Sequence, residues 1–224
     1  VKHPQILGEI QSIHRNATDA RCLIPQKEGN GLTSQHESEK IKIHCMNCFS
    51  VFLPNSMGQE LKWRTKKARE LFAYLFHLQG HSVSREDIID LLWPDTASKS
   101  AIALFHTTLY SIRQPLMQEG LEDIISYEKK KYSLNMQLVD SDLQQLLSYL
   151  KDQSLWENNP EKIMQLYPGN YMGNSGYLWS YGMAKELENN YLTVLKKGAA
   201  TRISQSQYQA ALPFLQRILE TDPY

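Results

Sequence analysis

Apolar residues recur at intervals of three and four from Ala68 through Leu71, Phe72 and Leu75 to Leu78, a spacing that predicts an amphipathic helix. Thr65 suits its start, because a threonine oxygen can accept from the unpaired amides of a first turn, and Gly80 suits its end. A second helix opens at Ser84, with Asp87 three residues on as a variant of the capping box. It is expected to turn Ile88, Leu91 and Leu92 inward and to end at Pro94. A third starts near Thr96 or Ser98 and packs through Ala101, Phe105, Leu109, Ile112 and Leu116. Its other face shows Ser100, Ala103, His106, Thr107, Tyr110 and Gln114, with Pro115 an oddity near the end. Residues 124–127 and 132–134 then read as the strands of a hairpin around Glu128, Lys129, Lys130 and Lys131.

On the N-terminal side, IKIHC, FSVFL and ELKWR read as short strands, the last two joined by a turn at Pro54, Asn55 and Ser56. Residues 15–40 lose periodicity and are polar, with Gly29, Gly31, Ser34 and Ser38, the composition of a flexible tether. Before them Ile6, Leu7, Ile10 and Ile13 have the spacing of a short amphipathic helix. Beyond Leu138 the pattern is helical throughout. DSDLQQLLSYL carries Leu143, Leu146, Leu147 and Leu150, with Asp140 or Ser141 as cap. A further helix is expected at Asn159, with Pro160 in its first turn, followed by the Gly- and Tyr-rich connection LYPGNYMGNSGYLWS. Residues 177–197 form a long helix with Leu178, Tyr181, Leu187, Tyr191 and Leu195 inward. Residues 207–221 form the last, through Ala210, Ala211, Phe214 and Ile218, with a kink expected at Pro213.

At 224 residues the chain can bury one large or two ordinary cores, and its 42% hydrophobic and 21% charged residues are those of a soluble globular protein. No apolar run approaches the ~20 residues that span a bilayer, so no membrane partner and a cytoplasmic location are expected. The formal net charge is zero, which argues against a general basic coat and leaves local placement of cations to decide any nucleic-acid contact. Cys22, Cys45 and Cys48 do not suggest a disulfide framework. Cys45 and Cys48 form a CxxC beside His44, but no second ligand pair follows at zinc spacing, and the cysteines sit among strands rather than at a helix start. Ordinary buried or turn cysteines are the better account, and no metal or cofactor is expected. Phosphate-binding loops, HExxH and GxSxG are all missing, so an enzyme reading has no support.

The stretches LKWRTKKARELFAYLF, VSREDIIDLLWPD, FHTTLYSIRQPL and IISYEKKKYSLN, in that order, resemble the winged-helix effector domain of the OmpR/PhoB class. More narrowly they resemble the version in SARP-type regulators, where a bacterial transcriptional activator domain follows. LYPGNYM, Trp179, the long helix through Tyr191 and QAALPFLQRILETDP are similar to that second domain. The resemblance implies an α+β winged helix-turn-helix domain over residues 41–138, followed by an all-α TPR-like helical repeat domain over 139–224. Residues 1–14 are either the tail of a receiver domain or an ordinary linker helix, and 15–40 are the linker. Both ends look cut, and a phosphoacceptor aspartate is expected upstream of Val1.

It further implies a transcription regulator, the effector part of a two-component response regulator, that binds double-stranded DNA at promoter direct repeats. Homodimerisation on DNA and contact with RNA polymerase are the expected partner interactions. Base contacts fall to Ser100, His106, Thr107, Tyr110 and Ser111, on a helix suited to the major groove. Phosphate contacts fall to Arg64, Lys66, Lys67, Arg113, Lys129, Lys130 and Lys131. Ser111 stands where relatives often carry a basic residue, which leaves one contact open. The alternative is a helical-repeat scaffold whose winged helix binds protein. Salt-dependent binding to duplex DNA separates the two.

Overall fold

The computed structural model describes residues 40–223; the expected N-terminal helix, most of the tether and Cys22 lie outside them. Two small sheets flank a group of three helices, and five further helices follow. In the first sheet β1 (Ile41–His44) pairs antiparallel with β2 (Ser50–Phe52), burying Ile41, Ile43 and Val51. The expected third strand at ELKWR is not one. Only a single bridge joins Phe52 to Glu60, and the Leu61 amide donates to the Val51 carbonyl at 2.7 Å. The third place is taken by β6 (Val139–Ser141), which runs parallel to β1 with Ile41 opposite Val139. A parallel partner needs a long crossover, and here the three-helix group supplies it.

Helix α1 (Lys66–His77) starts as its sequence indicates: Thr65 Oγ1 accepts from the Ala68 amide at 3.0 Å. Its buried face is wider than the three–four spacing implied, since Ala73 and Phe76 join Ala68, Leu71, Phe72 and Leu75. Helix α2 (Arg85–Leu92) is capped by Ser84, which accepts from the Asp87 amide at 3.0 Å. Leu91 is part exposed rather than inward. Helix α3 (Ser98–Gln118) buries Ala101, Phe105, Leu109, Ile112 and Leu116 as expected, and Pro115 sits inside it without ending it. The hairpin follows as β4 (Ile125–Glu128) and β5 (Lys131–Leu134). A two-residue strand, β3 (Val83–Ser84), adds to the far side of β5, so Ser84 both caps α2 and pairs with Lys131.

Past β6 come α4 (Asp142–Lys151), α5 (Gln153–Asn158) and α6 (Lys162–Leu166). Asn159 and Pro160 fall between α5 and α6 rather than opening a helix: the Asn159 amide closes α5, and Glu161 precedes α6. Helix α7 (Tyr181–Ser204) begins after a 3₁₀ turn at Leu178–Ser180, which leaves Leu178 and Tyr181 exposed instead of inward. Leu187, Tyr191 and Leu195 are buried as expected. Helix α8 (Tyr208–Thr221) folds back on α7, with Phe214 lying over Gly198; a Cβ at Gly198 would come within 2.6 Å of that ring. Ala210 is exposed, so Ala211 and Phe214 carry the contact.

One continuous core runs from Ile41 to Phe214 and takes side chains from both parts of the chain. The strap at residues 170–173 stitches them together. The Asn47 amide donates to the Asn170 carbonyl at 2.8 Å, and the Met172 amide donates to the Cys45 carbonyl at 2.7 Å. Gly173 has φ +54 and touches the Asn47 carbonyl so closely that a Cβ would lie 2.0 Å from its oxygen. Asp142, at the start of α4, accepts from the Cys45 amide at 3.0 Å and the Met46 amide at 3.1 Å. Tyr74 and His77 on α1 meet Tyr171 and Trp179, with the His77 and Trp179 rings 5.0 Å apart.

Candidate nucleic-acid interface

Among the described residues no other element covers the outer face of α3. Ser100, Ala103, His106, Thr107 and Tyr110 are all exposed, and Lys99 in the first turn extends the same ridge. Phe105 points the other way into the core, which fixes how the helix is rotated. Thr107 donates its hydroxyl proton to the Ala103 carbonyl at 2.9 Å, which leaves both lone pairs of its oxygen free to accept. Ser111 is half-buried and donates to the Thr108 carbonyl at 2.7 Å, so it is the least available member of the expected set. Ala97 caps α3 without a side-chain hydrogen bond, and the first amides of the helix therefore have no cap acceptor.

The hairpin stands beside this ridge through a chain of rings. Phe105 meets His106 at 5.3 Å and Tyr132 at 5.2 Å, and Tyr132 meets Tyr127 at 4.6 Å. Burial, and then the neighbouring Tyr127, push the Tyr132 hydroxyl above its ordinary pKa. At the tip Lys129 and Lys130 have φ of 51° and 65°, the left-handed pair that a two-residue hairpin turn requires. Asn-Gly would fill these positions with less strain, since each left-handed lysine costs roughly 1 kcal/mol. Lys129, Lys130 and Lys131 are all exposed.

The other expected cations divide into two groups. Arg64 and Lys66 are exposed at the start of α1, and Lys67 is partly covered and pairs with Glu70 at 2.9 Å. Arg113 is half-buried and turned inward. Its Nη2 donates to the Ile125 carbonyl at 3.2 Å, and its Nε is buried with no partner among the described residues. In this arrangement Arg113 ties α3 to the base of the hairpin. Arg85, which the spacing did not single out, sits beside the Ser84–Lys131 pair and bonds Glu86 at 2.7 Å. Its position follows from β3, an element too short to be visible in the sequence.

Among the described residues no group of three or more His, Cys, Asp or Glu could hold a metal. Cys45 is a free, fully buried thiol that donates to Asp142 Oδ1 at 3.0 Å; burial, and then the Asp142 charge, push its pKa well up, so it is not poised as a thiolate. Cys48 is half-buried, with its sulfur 3.7 Å from the Ser50 hydroxyl.

No protein-family model matches the chain, and no curated protein does. A solved structure does: Mycobacterium tuberculosis EmbR in complex with a low affinity phosphopeptide superposes with a TM-score of 0.67. The chain shares its fold with the matched part of EmbR. The match covers 83% of this chain and 51% of the EmbR chain, so this chain spans about half of that protein's length. Identity is 16%, and the likeness to EmbR is therefore one of fold. No described helix is long and apolar enough to cross a membrane.

Proposed function

We propose that this chain is a SARP-type transcription regulator that reads double-stranded DNA through α3 and grips the backbone through the hairpin. The observation that carries this reading is the exposed polar ridge of α3 beside three exposed lysines held at a strained tip. In the proposed complex Lys99, Ser100, His106, Thr107 and Tyr110 meet base edges in the major groove. Lys129, Lys130 and Lys131, with Arg64, Lys66 and Lys67, meet phosphates, while Arg113 holds the hairpin at its working distance from α3. The helical part from α4 to α8 acts as a TPR-like activator domain that mediates dimerisation on direct repeats or contact with polymerase. A receiver domain upstream of Val1 would make the whole a response regulator.

The test is duplex binding as a function of salt. Each phosphate neutralised contributes about −0.9 to the slope of log K against log salt. Replacing Lys129, Lys130 and Lys131 together by Ala should flatten that slope by up to ~2.7, equivalent to about 40-fold between 50 and 200 mM salt. His106→Ala and Thr107→Ala should change which sequence is selected from a random duplex pool and leave the slope alone. No salt-dependent duplex affinity, with partner capture that ignores DNA, would replace this reading with the protein-scaffold one.

A further inference from the structure

Away from α3 and the hairpin, α4, α5 and α7 enclose an open groove of about 290 Å³. Its lining is mostly apolar: Leu147 and Leu150 from α4, Trp156 from α5 and Val194 from α7. Two cations border this floor. Lys151 lines the groove at the end of α4, and Lys197 holds its ammonium 4.6 Å above the Trp156 ring. Among the described residues neither lysine has a carboxylate partner. The acids next along the chain from Lys151 are engaged elsewhere: Asp152 accepts from the Ser154 amide and hydroxyl, and Glu157 accepts from Gln153 at 2.6 Å, while Glu188, the acid nearest Lys197 in sequence, pairs with Lys185.

An apolar floor left open to water, with unpaired positive charge at its edge, is complementary to one kind of occupant. We propose that the groove docks an acidic amphipathic peptide segment of a protein partner. One or two large apolar side chains of that segment lie on Trp156 and Leu147, and its carboxylates meet Lys151 and Lys197. The mode is helix-in-groove recognition, with charge setting the orientation of the bound segment. This surface is separate from the proposed DNA contacts, and the two can be disabled independently.

The probe is a fluorescent synthetic helix of roughly five turns, about 18 residues, with Leu and Phe on one face and Glu on the other. Fluorescence anisotropy with the full chain should show saturable binding that weakens as salt is raised. The pair Lys151→Ser and Lys197→Met should reduce affinity tenfold or more; the methionine keeps an apolar stem on Trp156, so that change isolates charge. Leu147→Asp should abolish binding, and the same helix with Lys for Glu should not bind. Alanine at Lys129, Lys130 and Lys131 should leave peptide affinity unchanged, and the groove variants should bind duplex DNA as the parent chain does. Equal binding of the Lys helix, loss of binding in the hairpin variant alone, or no saturable binding of the Glu helix would each overturn the proposal.

Discussion

Asp142 offers a measure of how firmly the two parts of the chain are joined. Its side chain is 19% exposed and accepts from the amides of Cys45 and Met46, residues 0% and 3% exposed. Asp142→Ala removes the acceptor and leaves both amides without one. At ~1–3 kcal/mol for each unsatisfied buried amide, the loss should be about 3–4 kcal/mol. For a chain of this size that lowers the thermal midpoint by about 10 °C. Asp142→Asn keeps one carbonyl oxygen and should lose about half as much. The difference should also depend on pH. Burial opposes ionisation of Asp142, but the nearby His44 ring and hydrogen bonds from Cys45 and Met46 outweigh it and hold the carboxyl below its usual value. A depressed carboxylate stabilises fully above its unfolded pKa near 3.9, and the effect disappears as pH falls through the folded value. The Asp142 carboxylate, 3.7 Å from its Nδ1, raises His44 despite its partial burial. That contribution is complete below about 6.5 and disappears as pH rises through the folded pKa. Equilibrium urea unfolding of parent and variants across this range is the assay. A variant within about 0.5 kcal/mol of the parent at pH 6, or a difference that does not shrink on acidification, would refute the reasoning.

Two further outcomes follow from glycine and aromatic packing. Gly173→Ala meets the Asn47 carbonyl and should destabilise far more than Gly176→Ala, which shares a positive φ but has open space around its Cβ. The second should cost roughly 1 kcal/mol in thermal unfolding, and equal losses would mean the strap is not under close contact. Phe214→Ala empties the crossing of α7 and α8 and should cost about 3–5 kcal/mol, with amide exchange accelerating first in α8. A loss below about 1 kcal/mol would show that the helix pair closes without that ring.

The helices α1 to α3 and the hairpin are legible in the sequence from the spacing of their apolar residues, and α1 and α2 carry a start signal as well. Thr65 and Ser84 cap as their chemistry requires, and Phe105, Leu109 and Ile112 face inward as their spacing requires. What escaped the pattern is short or distant. Val83–Ser84 and Val139–Ser141 are too brief to show alternation and become strands only because β5 and β1 are there to pair with them. Leu178 and Tyr181 match a helical period yet face outward, because a 3₁₀ turn shifts the phase before α7 begins. In the candidate site, exposure of the α3 ridge was readable from spacing. The inward commitment of Arg113 to Ile125 and of Ser111 to Thr108 was not, since an exposed and a tethered polar residue look alike in a sequence. Asp142 reaches a partner 97 residues away, which no local rule anticipates.

The insertion of β6 beside β1 has a consequence for how the chain can be divided. A fragment ending at Leu138 would strip one edge from the first sheet and carry away the carboxylate that holds Cys45 and Met46. It would also lose Tyr171 and Trp179, against which α1 leans. Neither half can be transplanted onto an unrelated neighbour without refinishing that seam, so recombination should exchange this segment whole, from Ile41 at least as far as Trp179.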